Sequence, residues 1–220
     1  MISESDNKIL SFLMIGQSNM AGRGELGDVE PIVNERCYML RMGRWQKMSE
    51  PVNPDRDIFN IRFHSGISLA ASFADETAKF TKSKVGLIPC ADGGTKISQW
   101  QPGEILFDHA IMMTKLAMRT SNLGGIIWHQ GESDCRNFDA DKYRKDFLTM
   151  VTQLRKAINA ENLPFIMGEI SESIAADGWN VKDNPSKMNR LLHTLKDEIP
   201  CCEIALATGL DLKDDGHLFL

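Results

Sequence analysis

The segment Ile9–Ile15 is apolar at every position except Ser11, and it breaks off sharply at Gly16-Gln17-Ser18-Asn19. A run so short, with no polar alternation, reads as a strand buried on both faces. The switch to Gly and polar residues is how such a strand ends when it presents a side chain at its carboxyl tip. Open α/β sheets bind ligands at those tips. The pattern recurs along the chain. Strands are expected at Lys8–Ile15, more weakly at Cys37–Met42, and at Val85–Cys90, Gly125–His129 and Pro164–Ile170, with a last short one at Cys202–Ala207. Helical spacing occupies Gly66–Phe80, Leu106–Met118, Asp139–Ala160 and Met188–Ile199. The Asp139–Ala160 segment carries Phe147, Met150, Val151, Leu154 and Ile158 on one stripe, with charges opposite. Buried strands joined by helices imply right-handed parallel crossovers. The fold class is therefore α/β, a three-layer α/β/α sandwich with about five parallel strands.

At 220 residues the chain is long enough to bury a large core and is read as one domain, 1–220. No repeat or linker divides it. Net charge is −5 without a Lys/Arg block, which argues against a nucleic-acid partner. The polar, acidic start Met1–Lys8 lacks the features of a secretory leader, and no apolar run is long enough for a membrane span, so a cytoplasmic protein with no membrane partner is expected. Oligomeric state is left open. Five cysteines, odd in number and without a CxxC pair, read as reduced buried thiols. The irregular stretches 43–64 and 171–187 are expected to wall a site.

Three Gly-containing loops follow three of the expected strands: Gly16-Gln17-Ser18-Asn19, Ala91-Asp92-Gly93-Gly94-Thr95 and His129-Gln130-Gly131-Glu132-Ser133-Asp134. In a parallel sheet they open on one edge. That edge gathers a hydroxyl, backbone N–H groups, a carboxamide and carboxylates, the set that acyl transfer needs. Ser18 is either an exposed nucleophile on a strand-to-helix turn or a helix N-cap. The Gly-x-Ser-x-Gly elbow fails, because the last position is Met20. A nucleophile needs a base and an orienting group. The far end of the chain offers Asp214 and His217, whose D-x-x-H spacing lets the carboxylate meet Nδ1 and leaves Nε2 for a serine. Asp215 is the rival orienter. His64, His109 and His193 have no evident carboxylate partner and read as surface or core residues. His129 either lines the cleft or braces its loop. Gly93-Gly94-Thr95-Lys96 lacks phosphate-loop spacing.

The blocks Ile15–Gly22, Gly93-Gly94-Thr95, Trp128-His-Gln-Gly-Glu-Ser-Asp134 and Asp214-x-x-His217 resemble the SGNH hydrolase superfamily. The variant is similar to its sialic-acid-specific acetylesterase-like group, which includes the acetylxylan esterases of carbohydrate esterase family six. The resemblance runs from about Lys8 to Phe219. It implies a flavodoxin-like sandwich, no cofactor and no metal, and an acetylated carbohydrate as substrate. It assigns Ser18 as nucleophile, His217 as base, Asp214 as its orienter, and the Ser18 amide, the Gly94 amide and the Gln130 side chain as the oxyanion hole. Gln17 and Asn19 would brace the serine loop. Glu132 either ties the three loops together or acts on the histidine electrostatically. Trp100 either forms a sugar platform or packs under its own loop. Relatives of this kind continue past the histidine into a helix on the sheet. This chain stops three residues after His217, so a domain without that helix is expected. The function expected is a serine carbohydrate O-acetylesterase acting on a substrate such as acetylxylan or O-acetyl sialic acid. The rivals are a general short-chain esterase or lipase of the same fold, and a catalytically weakened carbohydrate-binding relative.

Overall fold

The computed structural model of the protein describes residues 8–55, 64–175, 181–212, 214 and 217–218. A seven-stranded sheet organises them, in the order β3-β2-β4-β1-β5-β6-β7. The strands are β1 (Ile9–Gly16), β2 (Cys37–Arg41), β3 (Arg44–Lys47), β4 (Val85–Pro89), β5 (Ser121–His129), β6 (Phe165–Gly168) and β7 (Cys202–Ala205). All neighbours are parallel except β2 and β3, which form an antiparallel hairpin at one edge. The helices are α1 (Ser18–Ala21), α2 (Leu69–Thr81), α3 (Ile105–Met118), α4 (Glu132–Cys135), α5 (Ala140–Ala157) and α6 (Asn184–Glu198). The product is a three-layer α/β/α sandwich, with six parallel strands where about five were expected. Cys202–Ala205 is a true strand, and β3 lies inside the stretch 43–64 expected to be irregular. Arg44-Trp-Gln-Lys47 carries little apolar signal because it is an exposed edge.

Alternate residues of each central strand point into two separate cores. Leu13, Ile15, Ile88, Ile126, Trp128, Phe165 and Met167 face α3, α5 and α6. Met14, Leu87, Val85 and Ile127 face α2. Both faces are therefore buried, which is why the strands read as continuous apolar runs. The cap residues set the helix starts. Ser68 accepts from the Ala70 N–H at the head of α2, and Asp139 accepts from the Lys142 N–H at the head of α5. In α2 the buried residues Ala70, Ala71, Ala74 and Ala78 let the helix backbone approach the sheet closely. Among the described residues, α2 is the one long helix on its face. The strip beside it, over β5 to β7, forms an apolar groove of about 410 Å³ lined by residues such as Phe73, Ile127, Ile166 and Leu206. The α6 helix begins at Asn184, one turn earlier than its apolar stripe suggested, with Pro185 in its first turn.

Phe147 of α5 is fully buried, edge-on to both Trp128 and Phe165 at 5.7 and 5.8 Å between centroids. Phe147→Ala removes those contacts and leaves a cavity. It should lower unfolding free energy by about 4 kcal/mol in chemical denaturation.

Candidate active site

The serine loop is set by two close approaches. Gly16 ends β1 at φ 136°, and a Cβ there would sit 2.1 Å from the His129 carbonyl oxygen. Only glycine fits that approach to β5. The Gln17 N–H then donates to the His129 carbonyl at 2.9 Å, and the chain turns into α1 with Ser18 as its first residue. The Ser18 N–H heads that helix, where no preceding intrahelical carbonyl can take it. The second loop is tied back by the Asp92 N–H to the Gly16 carbonyl at 2.9 Å. Gly94, at φ 72° and exposed, sits at its crest.

The third loop packs beneath the other two. Gln17 Oε1 accepts from the Ser133 N–H at 3.4 Å. Glu132, with no exposed surface, accepts from Asn19 Nδ2 at 2.5 Å. His129 is also buried, with its Nδ1 3.6 Å from Glu132 Oε1, beyond hydrogen-bond reach. Its ring lies against Gly168 of β6, where any Cβ would come within 2.4 Å of the ring. Glu132 thus ties the serine loop to the third loop through Asn19, and the His129 ring packs between that loop and β6.

The acid–histidine turn forms at the far end. His217 Nδ1 lies 2.7 Å from Asp214 Oδ1 and 2.8 Å from Oδ2, and the His217 N–H also reaches Oδ1 at 3.0 Å. The rival orienter Asp215 lies outside the described residues. The turn is anchored to the serine loop directly: the Leu218 N–H donates to Asn19 Oδ1 at 2.9 Å, in a buried contact spanning 199 positions of sequence. One carboxamide therefore joins three segments. Asn19 Nδ2 gives to Glu132, and Asn19 Oδ1 receives from the residue after His217. Ser18 and His217 are the immediate neighbours of the two bonded residues.

Two expectations need correction and a third is settled. The Gln130 side chain was expected in the oxyanion hole. It is fully buried, and both of its N–H groups are committed, to the Thr95 carbonyl at 2.9 Å and to Asp134 Oδ2 at 2.6 Å. Its Oε1 accepts from the Tyr143 hydroxyl at 3.1 Å. Gln130 is a brace between the second and third loops, with no proton left for an oxyanion. Burial raises the Asp134 pKa in this network, against the opposing pull of the Gln130 and Ile97 N–H groups. His64 and His193 do have carboxylate partners: Asp55 at 3.0 Å and Glu169 at 2.7 Å. Trp100 is buried, donates to Thr95 Oγ1 at 3.1 Å and stacks edge-on to Trp128, so of its two expected roles it packs under its own loop.

Sequence reasoning missed Arg23. Burial lowers its pKa, while the charges of Asp55, Asp92 and Asp214 pull the other way. Its guanidinium donates to the Gly22 carbonyl at 2.6 Å and lines a small cleft with Asn53, Asp92 and Gly93. The only sequence signal is its place one residue after Gly22.

Fold and site define an α/β protein with hydrolase-like loops gathered on the carboxyl edge of a parallel sheet. The chain belongs to the sialic acid-specific acetylesterase family of carbohydrate esterases, whose family model matches residues 8–219. A protein of Arabidopsis thaliana named "Probable carbohydrate esterase" is 28% identical over 228 residues, covering 94% of this chain and 83% of that protein. A crystal structure from the same plant superposes with a TM-score of 0.81 at 27% identity, covering 96% of this chain and 90% of that one. A carbohydrate acetylesterase of Xanthomonas citri shares the fold with a TM-score of 0.63 at 19% identity, covering 94% of this chain and 52% of that one.

Asn19→Ala removes the anchor of the acid–histidine turn. The Leu218 amide should lose its hydrogen-exchange protection, and ester turnover should fall roughly 10²-fold, the effect of misplacing a catalytic group by about 1 Å. Retained protection at Leu218 would contradict the anchoring role.

Proposed function

We propose that the protein is a serine carbohydrate O-acetylesterase. Membership of the carbohydrate esterase family supplies the reaction class, and the acetyl group and sugar are our reading. The observation that carries it is the bond from Leu218 to Asn19, which ties the turn holding the Asp214–His217 pair to the serine loop.

In this mechanism Asp214 holds His217 by Nδ1, so that Nε2 takes the proton from the Ser18 hydroxyl. The serine oxygen attacks the acetyl carbonyl carbon and forms a tetrahedral oxyanion. The N–H groups of Ser18 and Gly94 stabilise it, the first at the positive end of a short helix. The protonated His217 then gives its proton to the departing sugar oxygen. Water, deprotonated by the same histidine, attacks the acetyl-enzyme and releases acetate. Gln130, Glu132 and Asn19 touch no reacting atom and act as positioning residues.

A second reading, an esterase for longer acyl chains, draws on the apolar groove that Met20 and Leu218 help to line. A chain-length series of p-nitrophenyl esters separates the two. Acetate should turn over fastest, and a rise through butyrate and octanoate would favour the groove.

Ser18→Ala should reduce hydrolysis of p-nitrophenyl acetate and of acetylated xylan at least about 10³-fold, with His217→Ala falling comparably because the two act as a unit. Wild-type rates in Ser18→Ala would remove the serine mechanism.

A further inference from the structure

A second cavity, of about 260 Å³, opens at the carboxyl ends of β6 and β7. Its walls are the loop after β6 (Glu169 to Ser173), Asn189 of α6, and the segment Ala207–Leu210. The mechanism uses none of these residues. The volume lies just below the range of about 300–1,000 Å³ typical of drug-sized sites, and suits a single small ring.

The walls are held in place. The buried Asn189 carboxamide closes on both backbone groups of Ile170, accepting from its N–H at 3.0 Å and donating to its carbonyl at 2.9 Å. Glu169 accepts the Ala207 N–H at 3.0 Å with one oxygen and faces His193 at 2.7 Å with the other. The pocket therefore stands preformed. Its chemistry is mixed: hydroxyls of Ser171, Ser173 and Thr208, the exposed carboxylate of Glu172, and apolar surface from Ile170 and Leu210. Hydroxyls donate and accept, a carboxylate accepts from paired donors, and small apolar patches cover C–H faces. Those are the demands of a sugar ring. Two of the described lining residues are acidic and none is Lys or Arg, which favours a neutral ring over an anionic one.

Position fits the same ligand. The pocket and the serine loop both open on the carboxyl edge of the sheet, with only β5 between β1 and β6, and two strand spacings span about 10 Å. The segment lining it runs on to Asp214 and His217. We propose that this cavity is a subsite for a neutral sugar residue flanking the acetylated one, and this rests on the carbohydrate esterase reading above.

Glu172→Ala and Thr208→Trp test the proposal, the first removing an acceptor and the second filling the space. Both positions are exposed, so folding is not at risk. Wild-type kcat/KM should rise from acetylated xylose to acetylated xylo-oligosaccharides. The ratio of that value to the p-nitrophenyl acetate value should fall about ten-fold in each variant, as for one lost hydrogen bond to a charged group. Unacetylated xylohexaose, titrated calorimetrically into Ser18→Ala protein, reads the subsite without turnover. Its affinity should weaken by a similar factor in the same variants, and a sialylated oligosaccharide should bind more weakly than xylohexaose. Unchanged xylohexaose affinity in both variants, or tighter binding of the sialylated sugar, overturns the subsite. Failure to hydrolyse any ester while xylohexaose binding remains sensitive to the variants would instead remove the esterase reading and leave the subsite standing.

Discussion

The Asn19 carboxamide is the junction on which the site depends. Its nitrogen faces the buried Glu132 and its oxygen faces the backbone of Leu218. A carboxamide can serve both ends because it is donor at one and acceptor at the other. The Glu132 carboxylate fixes which way round it stands, since a carboxylate only accepts. Turned over, Asn19 would place oxygen against carboxylate and lose both bonds. Glu132 thus acts at a distance on the histidine turn, through one residue, without touching the imidazole. Such a buried carboxylate is costly to desolvate and tolerable only when it is hydrogen-bonded. That burial is what makes the orientation of Asn19 firm.

A parallel sheet supplies the rest of the constraint. Its loops emerge on one edge at strand spacing, so three separate segments meet with little backbone between them. Gly16 lets the first loop lie against β5, and Gly168 lets the His129 ring lie against β6. The polar residues beneath the loops then pair with one another: Gln17 with Ser133, Gln130 with Thr95, Asp134 and Tyr143. These bonds hold the loops before any substrate arrives, and preorganisation of that kind is the main source of transition-state stabilisation in acyl transfer.

Much of this was legible in the chain because its signals are local. Continuous apolar runs gave the central strands, the helical spacing of Gly66–Phe80 and the apolar stripe from Phe147 to Ile158 gave α2 and α5, and the D-x-x-H spacing placed Asp214 against His217. The remainder depends on contacts far apart in sequence. The family resemblance assigned Gln130 to the oxyanion hole. Its amide is instead held by Thr95, 35 positions away, and its oxygen by Tyr143 on α5. Asn19 looked like a brace, but its partners stand 113 and 199 positions away. The β3 strand stayed hidden because an exposed edge needs no apolar pattern. Arg23 stayed hidden because its meaning lies in three carboxylates brought from elsewhere.

The most direct measurement of the central claim is covalent labelling with a fluorophosphonate, read by peptide mass spectrometry. A serine beside an oriented imidazole reacts, whereas an ordinary serine does not. The account predicts a single adduct on Ser18, lost in His217→Ala and strongly slowed in Asn19→Ala. Labelling at another residue, or undiminished labelling of Ser18 in His217→Ala, would contradict it.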